Sequence, residues 1–315
     1  MHKVIFMGTP QFSVPILQAL IDDETIEVTG VVTQPDRKVG RKQILTPSPV
    51  KELALAHEIQ VFQPEKLSGS KEMDQILDLE PDLIITAAYG QYVPTKLLKT
   101  PKYRAINVHA SLLPKYRGAA PIHYAVMEGE EVTGVTIMYM EKKMDAGNII
   151  SQREIPITEE DDTGTLFEKL SIIGRDLLMD TLPAIFAGEN ESIAQNESEV
   201  SYSPMISKEQ EKIDWGKTAH EISNLVRALR PAPGAYTLLD GDRFKVWASK
   251  AINESTNKEP GTLVKINKEE LWVACGKGTI LSLEEVQPAG KKRMKVENYL
   301  AGTDLEEGHQ FDEKI

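Results

Sequence analysis

The sequence predicts an α/β domain built on a largely parallel sheet with helices on both faces, followed by a small β-barrel. Three observations carry this reading. Over roughly the first 190 residues, short apolar and β-branched runs alternate with helical stretches, the pattern of βαβ units. Residues 188–204 are polar, dense in Glu, Asn and Ser, and without periodicity. Beyond them, one helical stretch precedes five short β-like runs separated by Gly and Asp turns, the spacing of a small barrel.

Taken in order, residues 3–7 (KVIFM) are an apolar run that ends at Gly8, and a helix is predicted over about 12–21. Residues 28–33 are β-branched with one glycine. Ser48 followed by Pro49 is an N-cap with proline at the first helical position, and Leu53, Leu55, Ala56 and Ile59 continue its apolar face. Residues 82–88 (DLIITAA) and 105–109 (AINVH) are strand-like, with a short helix near 95–98 between them. Further strands are predicted at 133–140 and 149–157, and a long helix at 163–186, capped by Asp162 or Thr163. The aperiodic stretch then reads as a linker, which divides the chain into domains 1–189 and 207–315 with 190–206 between them. A helix at 219–229 and strands at 235–239, 244–248, 261–266, 271–274 and 279–286 complete the second domain.

A length of 315 residues fits two such domains, and 41% hydrophobic with 27% charged residues excludes collagen-like, coiled-coil and disordered classes. Cys275 is the only cysteine, which excludes an intrachain disulfide and a Cys-based zinc site and suits a reducing compartment. The apolar run near the N-terminus is too short for a signal sequence or a membrane span, so a cytoplasmic location is expected. The net charge of −12 is unevenly spread: residues 1–200 hold 19 basic and 30 acidic side chains, residues 201–302 hold 16 and 13. Phosphate attraction decays over roughly 10 Å, so local strings matter more than the total. Two stand out: Arg37, Lys38, Arg41 and Lys42, and Lys291, Lys292 and Arg293 with Lys295.

Ligands of an open parallel sheet gather at the carboxyl ends of its strands, which points to the loops after Met7, Thr33, Ala88, His109 and Met140. The first of these, GTPQFS, lacks the dinucleotide-binding glycine pattern, and no phosphate-binding GxxxxGK[ST] occurs, which disfavours a nicotinamide dehydrogenase or a P-loop NTPase. The densest chemical signal is 106–121, INVHASLLPKYRGAAP. Asn107 and His109 are two apart on a strand and share one face. Asp145 follows a later strand, in the turn MDAGN. An amide, an imidazole and a carboxylate suit acyl transfer to an amine: the amide N–H holds an oxyanion, the imidazole donates a second hydrogen bond, and the carboxylate takes the ammonium proton. The attacking amine is itself the nucleophile, in keeping with the lack of a GxSxG elbow or a Cys-His pair. His109, His123 and Asp145 lack the close spacing of helical zinc motifs, so no metal is expected.

NVHASLLPKYRGAAP followed by MDAG resembles the formyltransferase family that uses 10-formyltetrahydrofolate. The likeness extends through GTPQFS, TQPDRKVGRKQ, TPSPVK, AAYGQYVP, KIDW and VQPAGKKRM, and so covers essentially the whole chain. The resemblance implies a Rossmann-like catalytic domain and a C-terminal OB-like barrel, with Asn107, His109 and Asp145 as the catalytic trio. It implies that Ser111, Leu112, Leu113 and Pro114 lie against the folate and that Tyr89 and Gly90 line the pterin pocket. Gln91 and Tyr92 depart from the pattern, standing where aliphatic residues are expected.

The reaction so implied is formyl transfer to the methionine α-amine of charged initiator tRNA by a cytoplasmic monomer. Asn107 and His109 would stabilise the oxyanion, while Asp145 would move the proton to the departing folate nitrogen and orient His109. The basic strings Arg37, Lys38, Arg41, Lys42 and Lys291, Lys292, Arg293 would meet the RNA, the first from a loop at 34–48 on the carboxyl edge of the sheet. Two rivals stand beside this: a folate-dependent formyltransferase acting on a nucleotide-sugar amine, and a non-catalytic RNA-binding protein in which the trio is idle.

Overall fold

The computed structural model describes residues 1–40 and 42–312. The chain forms two compact units: Met1–Pro121, Val132–Pro156 and Phe167–Ser203 make the first, and Ile122–Glu131, Ile157–Leu166 and Pro204–Ile315 the second.

The first unit begins with β1 (His2–Gly8), whose residues Val4, Ile5, Phe6 and Met7 are fully buried, as a strand covered on both faces requires. Helix α1 (Val14–Asp22) has proline in its first turn and buries Ile16, Leu17 and Leu20. After β2 (Ile26–Val32), the segment read as a loop contains an antiparallel hairpin, β3 (Arg37–Val39) and β4 (Ile44–Thr46). Helix α2 (Pro49–Ala56) starts as predicted, with the Ser48 hydroxyl accepting from the Lys51 N–H. There follow β5 (Val61–Phe62), α3 (Lys71–Asp78), β6 (Leu83–Ala87), α4 (Thr95–Lys99), β7 (Ala105–His109), β8 (Arg117–Gly118), α5 (Pro121–Met127), β9 (Val132–Tyr139), β10 (Ile149–Pro156), α6 (Thr163–Ala187) and β11 (Tyr202–Ser203). Helix α3, capped by Ser70, was not foreseen from the sequence.

The main sheet has the order β10-β9-β7-β6-β1-β2-β5. Strands β5, β2, β1, β6 and β7 run parallel, whereas β9 and β10 add an antiparallel edge. Ile5, Met7, Ile84 and Ala105 share one face and pack with Ile76 of α3 and Leu97 and Leu98 of α4. Val108 and Val135 project to the other face, where Gly174 of α6 leaves room for them: a Cβ there would stand 2.9 Å from Val108 Cγ1. Helices therefore cover both faces of a Rossmann-like sheet.

Residues 193–203, within the stretch read as a linker, bond back to the first unit. Ile193 bridges Ile149, and β11 pairs in parallel with β8.

The second unit is mainly an antiparallel sheet. Helix α7 (Ala219–Ala228) opens with a capping box between Thr218 and Glu221. The strands are β12 (Ala235–Leu239), β13 (Asp242–Ser255), β14 (Leu263–Ile266), β15 (Leu271–Ala274), β16 (Thr279–Pro288) and β17 (Met294–Lys295), followed by α8 (Val296–Leu300). Their order is β12-β13-β16-β15-β14, with β17 beside β16. Residues 308–312 bond to both edges of this sheet. Leu263 exchanges bonds with Gly308 and His309, the Phe311 N–H donates to the Gly261 carbonyl at 3.0 Å, and the Asp312 N–H donates to the Leu238 carbonyl at 2.9 Å. That segment lies along the β14 edge and reaches the β12 edge, which Glu211 and Ile213 also cover through Tyr236, so both edges are protected from mispairing. Inside, Trp215 stacks on Phe311 within a core that includes Ile222, Val226, Phe244 and Leu281.

Within the same unit, residues 122–131 and 157–166 are tied to α7 and its neighbours. The Arg227 guanidinium donates to the Thr158 and Asp161 carbonyls, the Thr163 hydroxyl to the Ala228 carbonyl, and the Gln210 amide to the Tyr124 hydroxyl.

Candidate active site

Asn107 and His109 lie on β7, in register with Met138 and Thr136 of β9, and alternate with the opposite-facing Val108 as the strand period requires. The Thr86 hydroxyl of β6 donates to Asn107 Oδ1 at 2.7 Å. With its oxygen so occupied, the side-chain amide presents its NH2 group as the donor. His109 is 6% exposed, and its Nε2 lies 3.0 Å from the Tyr116 carbonyl oxygen. A carbonyl only accepts, so Nε2 carries a hydrogen and Nδ1 is the nitrogen left for chemistry. Asp145 Oδ2 stands 3.8 Å from that Nδ1 and accepts from the Gly118 N–H at 2.9 Å. The imidazole is thus oriented by the Tyr116 carbonyl rather than by Asp145, which sits at ion-pair rather than hydrogen-bond distance.

The route by which Asp145 arrives differs from the one expected. Strand β9 is antiparallel to β7, with Tyr139 opposite Ile106, so the loop after Met140 leaves from the amino end of β7. The turn then folds back to His109. Asp145 itself takes a left-handed conformation, φ 49°, at a cost on the order of 1 kcal/mol that neighbouring contacts must offset. The Gln195 side-chain amide supplies two of them, donating to the carbonyls of Asp145 at 2.7 Å and Gly147 at 2.8 Å. Gly147 is required by space: an added Cβ would collide with the Tyr139 carbonyl oxygen. Gly147→Ala should therefore displace the Asp145 turn and remove most activity while the far sheet edge stays folded, as paired turnover and circular-dichroism measurements would show.

Around this turn lies a polar network that sequence reasoning missed. Arg117, only 1% exposed, donates from Nε to Gln195 Oε1 and from a terminal nitrogen to Glu197 Oε1, each at 2.9 Å. Lys143 pairs with the other oxygen of Glu197. The Lys143 ammonium and the Arg117 guanidinium hold the Glu197 carboxyl below its usual range.

The candidate folate residues follow neighbouring strands of the sheet. In the Ser111–Pro114 turn the Ser111 hydroxyl is committed to the Lys115 carbonyl and the Leu113 side chain is buried, leaving Leu112 and Pro114 half-buried. Thr136 and Gln152 weld this turn to β9 and β10. Tyr89 is buried, its carbonyl held by Thr9 and Gln34, and burial pushes its phenol up. Its hydroxyl has no protein partner among the described residues. Gly90 has φ +89°, open to glycine alone without strain. The departures at Gln91 and Tyr92 have a plain account. Gln91 ties three loops, accepting from the Leu67 N–H and donating to the Pro64 carbonyl and to Gln34, while Tyr92 is exposed.

Of the basic candidates, Arg37, Lys38 and Lys42 are exposed on or beside the hairpin, Arg37 paired with Glu65. Arg41 lies outside the described residues. Lys291 and Lys292 are exposed, whereas Arg293 is engaged by Glu285 and sits over the Trp247 ring. No group of three or more His, Cys, Asp or Glu side chains is arranged to hold a metal among the described residues, and no described helix is long and apolar enough to cross a membrane.

The sequence model described as "Formyl transferase" matches residues 2–182, and "Formyl transferase, C-terminal domain" matches residues 205–304. A methionyl-tRNA formyltransferase of Enterococcus faecalis is 58% identical over 302 residues, 96% of each chain. One of Bacillus subtilis is 53% identical over 308 residues, 98% of this chain and 97% of the relative. Among solved structures, WlaRD, a sugar 3N-formyl transferase, superposes with a TM-score of 0.68 at 21% identity, covering 93% of this chain and 99% of that one. At that identity the likeness speaks for the fold alone.

Proposed function

The chain belongs to the formyl transferase family, and from that premise we propose that it transfers the formyl group of 10-formyltetrahydrofolate to the α-amine of methionine on charged initiator tRNA. The observation that carries the choice of acceptor is the identity, 53% and 58%, to methionyl-tRNA formyltransferases over nearly the full length of both chains. The sugar N-formyltransferases among the solved structures stand at about 21% identity, a level that speaks for the fold and not for the acceptor. In this reading the protein acts in the cytoplasm as a monomer, with 1–189 the folate-binding catalytic part and 207–315 the tRNA-binding part.

The residues present suit a folate. Tyr89 offers a buried hydroxyl that a ligand's polar edge would satisfy, Gly90 gives close backbone approach, and Leu112 and Pro114 offer apolar surface. When bound, the folate supplies an activated formyl group. Asn107 donates from Nδ2 to the negative charge that develops on the formyl oxygen, its orientation kept by Thr86. His109 contributes Nδ1 as a second donor when protonated, and Asp145 balances that charge from 3.8 Å. A carbon–nitrogen bond forms to the amine and another breaks, so one proton leaves the amine and one reaches the departing nitrogen. Asp145 carries it on Oδ1, since Oδ2 is held by Gly118.

Exposed Arg37, Lys38, Lys42, Lys291 and Lys292, with Arg41 and Arg293, are assigned to phosphate contacts. Arg41→Ala should then remove a charge-assisted hydrogen bond worth about 1.5–3 kcal/mol and lower kcat/KM on tRNA by roughly ten- to a hundredfold, with folate binding intact. Wild-type efficiency should fall steeply with added salt. If both treatments leave activity untouched, the acceptor is a small molecule. The direct test incubates charged initiator tRNA with 10-formyltetrahydrofolate and the protein, then looks by mass spectrometry for a formyl group on the released methionine. Formylation of a nucleotide-sugar amine without formylation of the tRNA would replace this reading.

A further inference from the structure

We infer that Gln195 is a positioning residue for Asp145, a clamp supplied by the polar segment that follows α6. The inference rests on the catalytic role given to Asp145 above. Three bonds hold the Gln195 amide: both Nε2 hydrogens go to the Asp145 and Gly147 carbonyls, at 2.7 and 2.8 Å, and Oε1 accepts from Arg117 at 2.9 Å. Arg117 and Gly118 are consecutive on β8. The first fixes Gln195, and the second donates its N–H to the Asp145 carboxylate at 2.9 Å. The contacts close a ring in which Gln195 holds the Asp145 backbone, Gly118 holds its side chain, and one two-residue strand anchors both. Because Asp145 is left-handed at φ 49° and Gly147 is wedged under the Tyr139 carbonyl, the turn depends on such outside bonds to keep its shape. The anchor is itself pinned, since β8 pairs with β11 and Glu197 joins Arg117 to Lys143.

Two full-length variants test this. Gln195→Met keeps the volume and loses every bond; Gln195→Glu keeps an acceptor for Arg117 but turns two donors into repulsion against the carbonyls. Both should lower kcat by about 10- to 100-fold, the scale of a small misplacement of a reacting group, with KM for the folate within twofold. In an Asp145→Asn background, Gln195→Met should cost nothing more, because a residue that acts only through Asp145 has nothing left to position. Exchange of the Gly118 amide hydrogen, which reports the turn without any turnover, should quicken at least tenfold in both variants. Independent losses in the double variant, unchanged Gly118 exchange, a loss confined to KM, or failure of both variants to fold would each overturn the positioning role. If the wild-type protein does not formylate charged tRNA, the functional reading falls by itself, and Gly118 exchange alone then decides the clamp.

Discussion

Asp145→Asn should lower kcat by roughly three orders of magnitude, the range in which a positioned proton carrier contributes. The substitution is nearly isosteric. An Asn side-chain oxygen can still accept from the Gly118 N–H, and the backbone bonds from Gln195 are untouched, so the turn keeps its place. What disappears is the charge: the group no longer takes the amine's proton and no longer balances a protonated His109 from 3.8 Å. Steady-state kinetics at saturating folate and tRNA should show the whole loss in kcat. A loss that vanishes when folate is raised would make Asp145 a binding residue.

Asn107→Ala should cost two to three orders of magnitude in kcat, about 2.7–4 kcal/mol of lost stabilisation for the developing oxyanion. The Thr86 bond sharpens this into a comparison. Because Thr86 donates to Oδ1, the amide nitrogen faces the reacting group. Asn107→Asp would put a second anionic oxygen where the donor had been. It should therefore be slower than Asn107→Ala, although it is the smaller change in shape. Equal rates for the two variants would remove Asn107 from direct contact with the charge, and near-normal turnover in both would remove it from the mechanism.

Local signals went only part of the way to the candidate trio: Asn107 and His109 share a strand face through a two-residue period, whereas Asp145 reads as a turn residue, and it was the resemblance of NVHASLLPKYRGAAP and MDAG to a formyltransferase family that joined the three. The direction of β9 carried no such signal. The 22 residues between His109 and Val132 are enough for a parallel crossover or for an antiparallel return, so chain length does not decide it, and β9 runs antiparallel to β7. Gln195 was illegible for a different reason. Its partners are backbone carbonyls about fifty residues away, to which side-chain patterns are blind, and it lies in a stretch without periodicity. The hairpin at 37–46 was missed because each strand has only three residues, and all of them are exposed.

Synthesis order gives the interleaving of the second unit a cost in time. Residues 122–131 and 157–166 are translated early, yet the partners that satisfy them, Gln210, Arg227 and the Ala228 carbonyl, come much later in the chain. At about 5–20 residues per second, the interval between Thr158 and Arg227 lasts on the order of several seconds. During it, the Thr158 and Asp161 carbonyls and the Thr163 hydroxyl wait for partners that have not yet been made. In a growing chain on the ribosome, water must therefore serve these groups until the barrel segments emerge.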